Sequence, residues 1–216
     1  MSTVLHDVPP GNWTAGDVEG WLPGFPIDRI RVSPTPGTAT EQDILDLERQ
    51  TGQICELIDG TLVDKVMASL ESMLAAEIII HIGACLQIRD LGILLGADGY
   101  VKLLPDQIRA PDVSFIRWER FPDRKLPKVA IYDVAPDLAV EILSESNTVA
   151  EMNRKLRDYF QAGTSMVWYV DPLTRTARSY IAIRQWTDIG PEDSLLGGEV
   201  LPGFELPLAK LFARVG

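Results

Sequence analysis

The chain has 216 residues, 46% of them hydrophobic, and a net charge of −11. It is long enough for one large domain, or one domain with an extension, and apolar enough to bury a normal core. The first ten residues lack a secretory pattern, the longest apolar stretch is broken by Glu77 and His81, and the two cysteines lack metal-ligand spacing. These features argue against a secreted or membrane-spanning protein and predict a soluble cytoplasmic one with buried thiols.

The net charge argues at first sight against a nucleic-acid partner, but the acids are unevenly distributed. Residues 1–60 contain ten acids and three bases, whereas residues 117–128 (RWERFPDRKLPK) contain five bases and two acids. A basic patch is therefore expected within an acidic chain. A cluster of buried, metal-binding carboxylates would add to the negative total without repelling DNA once its metal is bound.

The first part of the chain differs in composition from the rest. Residues 1–37 are rich in Pro and Gly and carry Trp13, Trp21 and Phe25. We expect an N-terminal extension with little regular structure, held in place by these aromatic side chains. Residues 38–216 are expected to form the main domain.

The domain is predicted to begin with a helix, a hairpin and a second helix. TATEQDILDLERQTG has acids in its first turn and Gly52 at its end, which is typical of a short helix. ICELIDGTLVDKVM alternates around the turn signal Asp59-Gly60 and predicts a hairpin. Apolar residues at helical spacing predict a long helix over residues 69–90.

The second half alternates between strands and a helix. GILLGADGYVKLL and APDVSFIRW are predicted to be two strands, followed by a long connection over residues 118–136. PDLAVEIL predicts a strand, residues 149–162 a helix ending at Gly163, and SMVWYVD a further strand. A hairpin arm (TARSYIAIRQW) and a tail (VLPGFELPLAKLF) follow. This order predicts an α/β fold, with helices flanking one mixed sheet.

The strand PDLAVEIL contains an acid in an apolar run. Leu138, Val140 and Ile142 share one face, and Glu141 lies on the other face of a strand expected to be covered on both sides. A lone carboxylate there costs several kcal/mol unless it is protonated, paired or bound to a metal. Glu141 therefore indicates a functional site.

A second acid has the same setting. In APDVSFI, the period-two alternation places Asp112 and Ser114 on one face of the strand. If the two strands are neighbours in register, Asp112 and Glu141 converge, and two ionised carboxylates repel unless a cation lies between them. Oxygen ligands suit magnesium or manganese, the ions typical of phosphoryl-transfer sites.

The helix after the Glu141 strand supplies a basic residue. Lys155 borders the apolar face that includes Leu156 and Tyr159, so its stem can lie along the sheet and direct the ammonium at the carboxylates. An Asp, a Glu and a Lys around a divalent ion suit phosphodiester hydrolysis, because the metal acidifies a water and the lysine orients that water or stabilises the transition state. Lys155 could equally form a solvated i,i+4 pair with Glu151.

Five segments together resemble the Uma-two family of endonucleases, in the PD-(D/E)xK superfamily. The segments are CELIDGTLV, APDVSFI, PDLAVEILSESN, KLRDYFQAGTSMVWYVDP and LPGFELPLAKLF. They cover roughly residues 40–213. The resemblance implies a restriction-endonuclease-like fold.

The resemblance also implies residue roles. Asp112 corresponds to the aspartate of the "PD" pair and Glu141 to the second acid. The lysine of the signature, expected two residues after Glu141, is Leu143 here, and the resemblance implies that Lys155 replaces it. Glu56, in CELIDG, matches a further acid of the family, although it could merely flank the hairpin.

The sequence thus predicts a magnesium-dependent DNA endonuclease. Asp112 and Glu141, with the backbone carbonyl of Ile142, are expected to hold Mg²⁺ or Mn²⁺. Lys155 is expected to position the attacking water, and Glu56 to act as an auxiliary acid.

The basic loop 117–128 is expected to contact DNA phosphates, where contacts carry affinity but little sequence information; a solvated face is the alternative. Its candidate DNA-binding residues are Arg117, Arg120, Arg124, Lys125 and Lys128. A homodimer would supply the two sites needed to cut both strands. Two other functions stay open: a non-catalytic nucleic-acid-binding or scaffold protein, and a hydrolase of a small phosphorylated molecule.

Overall fold

The computed structural model describes residues 13–215. Over these residues the α-helices are α1 (Ala15–Trp21), α2 (Glu41–Thr51), α3 (Ser69–Ile88), α4 (Val149–Gln161) and α5 (Leu208–Leu211). The strands are β1 (Cys55–Ile58), β2 (Thr61–Asp64), β3 (Gly92–Leu95), β4 (Tyr100–Leu104), β5 (Gln107–Arg109), β6 (Val113–Arg117), β7 (Ile131–Tyr132), β8 (Leu138–Ile142), β9 (Met166–Asp171), β10 (Thr176–Ala182), β11 (Gln185–Ile189), β12 (Ser194–Leu196) and β13 (Glu205–Pro207).

The strands form two mixed sheets and a short ribbon of β12 and β13. One sheet has five strands in the order β2-β1-β5-β4-β7, and the other has six in the order β11-β10-β9-β8-β6-β3. The pairs β4–β7 and β8–β9 are parallel. The predicted α/β fold with mixed sheets and flanking helices is confirmed, but the prediction of one sheet is wrong.

The division into two sheets begins inside the segment predicted to be a single strand, GILLGADGYVKLL. Its first part, β3, joins the six-stranded sheet, and its second part, β4, joins the five-stranded sheet. The turn between them is closed by a hydrogen bond of 2.9 Å from Gly99 N to Gly96 O. A Cβ on Gly99 would lie only 2.5 Å from that of Leu95, so a larger residue would displace the turn. Strands β5 and β7 have three and two residues, which is too short for alternation to reveal them.

The six-stranded sheet is covered on both faces, as its apolar strands predict. Leu138 and Val140 of β8 pack with residues of α3 and of the C-terminal segment. Ala139 packs on the opposite face with Leu156 and Tyr159 of α4. Glu141 shares the face of Ala139 because side chains alternate along a strand. The sheet therefore turns Glu141 towards α4.

Helix α4 begins and ends at residues suited to those positions. The Thr148 side chain accepts a hydrogen bond from Glu151 N, which satisfies an N-terminal amide of the helix. The chain leaves the helix through Gly163, whose φ of +93° favours glycine. The predicted helix is confirmed, and Lys155 lies on its buried side.

The predicted hairpin is also confirmed. Its turn consists of Asp59 and Gly60 with φ of 49° and 66°, the two positive values that a two-residue turn of matching twist requires. Cys55 and Leu57 of β1 pack towards α2, together with Ile44. Alternation then turns Glu56 away from α2, towards the interior between the two sheets.

Helix α3 is long and apolar enough, by length and composition, to cross a membrane. Core helices of folded domains meet the same criteria. Leu74, Ala75, Ile78 and Ile82 of α3 are buried against the six-stranded sheet and its neighbours, so one side of the helix forms part of a core.

The N-terminal segment contains more regular structure than the sequence predicts. Residues 15–21 form α1, with a capping box between Thr14 and Asp17, so the expectation of little regular structure is wrong for this part. The aromatic anchoring is confirmed: Phe25 is buried in a cluster with residues of the hairpin, and Trp13 and Trp21 pack at its edge. Residues 1–12 lie outside the described part of the chain.

Candidate active site

The two predicted acids meet at one end of β6 and β8. The antiparallel register pairs Val113 with Val140, and one further step places Asp112 directly opposite Glu141. Asp112 N donates to Val140 O at 3.0 Å, so Asp112 stays hydrogen-bonded to β8 beside Glu141. Directly opposed residues have Cβ atoms about 5 Å apart. The predicted convergence of the two carboxylates is therefore confirmed.

Lys155 reaches this pair from α4. Its Nζ lies 2.9 Å from Glu141 Oε2 and 3.3 Å from Glu56 Oε1. The same helix face brings the Tyr159 hydroxyl, which donates to Glu141 Oε1 at 2.5 Å. The sequence indicated Tyr159 only as a packing residue, because a buried tyrosine gives no sign of the partner of its hydroxyl.

Glu56 completes the cluster from the five-stranded sheet. Its Oε1 accepts a hydrogen bond of 3.3 Å from Ala110 N. Its Oε2 lies 2.8 Å from Arg109 Nη1, and Arg109 also binds Asp158 of α4 at 2.5 Å. Glu56 thus shares the ammonium of Lys155 with Glu141, and Lys155 links the two sheets. Sequence reasoning missed Arg109, since a basic residue in a three-residue strand carries no periodic signal.

All four side chains are buried: Asp112, Glu141, Lys155 and Glu56 are 5%, 4%, 4% and 1% exposed. Burial by itself raises the pKa of Glu56, but the charges of Lys155 and Arg109 outweigh it and lower that pKa to about 2. Burial raises the pKa of Glu141; Lys155 opposes this, while the carboxylates of Asp112 and Glu56 add to it, and the pKa stays above its usual value. Burial therefore contributes most to the raised pKa of Glu141, and the neighbouring carboxylates add to it.

Asp112 is bound at both oxygens. Its Oδ2 accepts a hydrogen bond of 2.7 Å from Ile142 N, and its Oδ1 lies 2.9 Å from Lys65 Nζ. Ile142 thus contacts Asp112 through its N–H, whereas the predicted metal ligand is its carbonyl, which stays a prediction. Lys65 was not predicted as a site residue: it lies just after β2, near the end of the predicted hairpin, and its partners Ala97, Ala110 and Asp112 come from distant parts of the chain.

The oxygen atoms of Asp112 and Glu141 decide whether the predicted magnesium ion fits this site. Among residues 13–215, no group of three or more His, Cys, Asp and Glu side chains is arranged to hold a metal ion. Asp112 and Glu141 still fit magnesium, because this ion binds through one or two carboxylates and keeps several waters. A cation between the two carboxylates would also favour the ionised form of both.

The basic loop 117–128 lies away from the Asp112 and Glu141 carboxylates. Asp112 precedes β6 and Arg117 ends it, so the start of the loop is about 16 Å from the carboxylates along the strand. Its guanidinium groups are engaged within the protein: Arg117 donates to Glu199 O, Arg120 to Asp137 Oδ1 at 3.1 Å, and Arg124 to Asp90 Oδ2 at 2.6 Å. The loop therefore begins at the end of β6 that is far from the carboxylates, and its contact with DNA stays a prediction. Two basic residues of the loop, Lys125 and Lys128, are exposed and form no ion pair with a described acid.

The fold is shared with a protein of known structure, described as "a putative nuclease belonging to DUF820 from Anabaena variabilis ATCC 29413". The two chains superpose with a TM-score of 0.67 at 21% identity, and the match covers 76% of this chain and 92% of the other. At this identity the similarity establishes the fold. This chain therefore has the α/β fold of that protein.

The family follows from the sequence. The Uma2 family, described as "Putative restriction endonuclease", matches residues 41–209. The chain belongs to the Uma2 family, as its resemblance to the Uma-two endonucleases predicted. No curated protein is similar enough to this chain to count as a match.

Proposed function

We propose that this protein is a divalent-metal-dependent endonuclease that hydrolyses DNA phosphodiester bonds. The observation that carries the proposal is the opposition of Asp112 and Glu141 at the ends of neighbouring strands, with Lys155 Nζ 2.9 Å from Glu141. Membership of the Uma2 family supports a nuclease in general. Magnesium, the DNA substrate and the individual residue roles are the finer parts of the proposal.

In the proposed mechanism, Asp112 and Glu141 would bind Mg²⁺ or Mn²⁺, with the Ile142 carbonyl as a further oxygen ligand. When bound, the ion would supply an acidified water and neutralise charge on the phosphate. Lys155 would orient the attacking water, whose oxygen forms the new bond to phosphorus as the bond to the leaving ester oxygen breaks.

The remaining contacts would keep these groups in place. Tyr159 fixes Glu141 Oε1 through its hydroxyl, and Glu56 binds the ammonium of Lys155. Arg109 in turn fixes Glu56. Groups already held in their working geometry need no reorganisation during the reaction, which is the main source of electrostatic catalysis.

The non-catalytic alternative is favoured by one observation. The site side chains are buried, and both acids of the β6–β8 pair already bind lysines: Lys65 at Asp112 and Lys155 at Glu141. A protein that kept the fold for binding alone would also need its buried carboxylates neutralised. Nuclease assays separate the two functions.

The decisive experiment incubates the protein with supercoiled plasmid, linear duplex, single-stranded DNA and RNA, each with Mg²⁺, Mn²⁺ or chelator. We expect metal-dependent nicking of DNA that is lost in Asp112→Asn and kept in Lys102→Met, a partly buried lysine paired with Glu41 outside the site. Failure to cut any nucleic acid with either metal, or cutting that is unaffected by Asp112→Asn, would overturn the proposal. Salt-sensitive DNA binding without cleavage would support the binding protein, and hydrolysis of a small phosphodiester alone would support the third function.

We also propose that the protein forms a homodimer through α3, which would bring two sites to one duplex. The exposed residues of α3 are all uncharged: Ser69, Leu70, Ser72, Ala76, Ile80, Ala84, Gln87 and Ile88. In a chain of net charge −11, two copies can meet at this face without like-charge repulsion. Light scattering should give twice the chain mass of 23.9 kDa, and Ile80→Glu should give the monomer; a monomeric wild type would contradict the dimer.

A further inference from the structure

Lys65 is held in a small cage of oxygen atoms. Its Nζ lies 2.9 Å from Asp112 Oδ1, 3.0 Å from Ala97 O and 2.5 Å from Ala110 O. The side chain is 8% exposed, and these three acceptors match the three donors of an ammonium group. One carboxylate and two backbone carbonyls are also the kind of oxygen ligands that hard divalent cations take.

The same lysine faces a cleft of about 360 Å³. The residues that line this cleft include Gln53, Asp64, Lys65, Met67 and Ala97, but not Asp112. Lys65 is thus the lining residue that binds the carboxylate directly. An ion that enters from the cleft meets the ammonium before it reaches Asp112.

A divalent ion and the ammonium compete for one oxygen. Asp112 Oδ2 already accepts the Ile142 N–H, which leaves Oδ1 as the oxygen without a backbone hydrogen bond. That oxygen is bound by Lys65. Two cations sharing one buried oxygen repel each other strongly, because little water is present to screen them.

We propose that Lys65 is a resident cation that occupies the metal position at Asp112 in the metal-free protein and leaves it when the ion binds. The inference rests on the proposed function and identifies a positioning residue of its site. The ammonium neutralises Asp112 and satisfies two buried carbonyls until the ion arrives. On metal binding it turns into the adjoining cleft, for which its four-carbon stem gives it the necessary freedom.

Calorimetric titration with Mn²⁺ tests the competition. Lys65→Met should bind Mn²⁺ at least about tenfold more tightly than wild type, since a nearby like charge shifts a charge equilibrium by one or more powers of ten. Lys102→Met, which removes a lysine paired with Glu41, should bind within about twofold of wild type, the size expected for an exposed pair. If Lys65→Met binds Mn²⁺ as wild type does, or more weakly, the resident-cation role is overturned. If neither protein binds Mn²⁺, the proposed function fails first and this inference with it.

A second measurement follows the lysine itself and needs no variant to fold. In ¹⁵N-labelled wild type, the buried Lys65 ammonium should give a protected signal, assigned by its absence from Lys65→Gln or, should that variant not fold, by its contacts to Ala97 and Ala110. Saturating Mg²⁺ should shift or remove this signal as the ammonium leaves Asp112. A Lys65 signal that stays unchanged while Mg²⁺ saturates the site would overturn the inference and leave the metal site itself intact.

Discussion

Among single residues, Glu56 allows a direct test of whether Lys155 and Arg109 keep its carboxylate ionised. Its pKa is lowered to about 2 because Lys155 and Arg109 outweigh the effect of burial. A lowered pKa means that the ionised carboxylate stabilises the fold above its unfolded pKa of 4.5, and that this contribution is lost as the pH falls towards 2. By linkage, the ionised Glu56 carboxylate contributes on the order of 3 kcal/mol to the free energy of unfolding.

Glu56→Gln should therefore lower the free energy of unfolding at pH 7, and the difference from wild type should shrink as the pH falls from 4.5 towards 2. Urea denaturation of both proteins at a series of pH values measures this difference, in which groups unaffected by the substitution cancel. A difference that stays constant across this range would show that Lys155 and Arg109 do not hold Glu56 ionised.

Lys155 should affect turnover far more than binding. Lys155→Met leaves Glu141 and Glu56 without their shared cation, so the cleavage rate should fall by about 100-fold or more, as when one preorganised electrostatic donor is removed. DNA affinity should change by less than about threefold, because phosphate contacts elsewhere supply most of it. Single-turnover cleavage and filter binding measure the two quantities, with Lys102→Met as control. Equal losses in both would assign Lys155 to DNA binding.

The sequence located residues that interrupt a pattern and that the structure brings together, while their roles stay predictions. Glu141 breaks an apolar strand, and Asp112 shares its alternation, so both could be identified from the chain alone. Lys155 could be placed because a helix must return its apolar face to the sheet. Lys65 and Arg109 could not, since their partners come from distant segments of the chain.

Between elements, the N-terminal segment is tied to α4 by a buried ion pair. Arg29 Nη2 lies 3.0 Å from Glu151 Oε1, and the two side chains are 7% and 0% exposed. Arg29 Nε also donates to Asp64 O at 2.8 Å, so one guanidinium joins the end of β2 to the first turn of α4. Glu151, one turn before Lys155, is therefore bound by Arg29.

Arg29→Met should lower the free energy of unfolding by about 3–5 kcal/mol, because it leaves Glu151 charged and buried without a partner. The double variant Arg29→Met/Glu151→Leu should recover much of that loss, since no unpaired charge remains. Urea denaturation of wild type, both single variants and the double variant completes the cycle. Additive losses would show that the two residues do not interact.

The basic loop should contribute through its two free lysines. Neutralising Lys125 and Lys128 should reduce the slope of log affinity against log salt by about 1.8, since each phosphate contact adds about 0.9. Arg124→Gln should change it less, because Asp90 binds that guanidinium and Trp118 stacks with it. Binding of one duplex over a range of salt measures the slope, with Lys210→Gln as a control outside the loop. An unchanged slope in the lysine variant would mean that the loop does not touch DNA.

Elements with strong local signals were predictable, and short ones were not. Helix α2 has its Thr40 capping box and ends at Gly52 in the left-handed conformation, and the Asp59-Gly60 turn fixes the hairpin. Strand β7 has two residues and is held by one parallel pairing with β4. Such a strand exists only because its neighbour is present, so local sequence cannot reveal it.

Across the entire chain, the two sheets together make the site. Asp112 and Glu141 come from the six-stranded sheet, Glu56 from the five-stranded sheet, and Lys155 from the helix between them. Sequence alternation predicts the face on which a residue lies but not the strand with which it pairs, which is why one sheet was expected. The acidic total is consistent with a carboxylate cluster whose charges are met inside the protein.

The central claim is that Asp112 and Glu141 together hold the divalent ion, and titration of Mn²⁺ into wild type and Asp112→Asn/Glu141→Gln tests it most directly. Wild type should bind Mn²⁺, and the double variant should lose that binding while circular dichroism shows an unchanged fold, because both carboxylate ligands have become neutral amides. Unchanged Mn²⁺ affinity in the folded double variant would place the metal elsewhere and contradict the account.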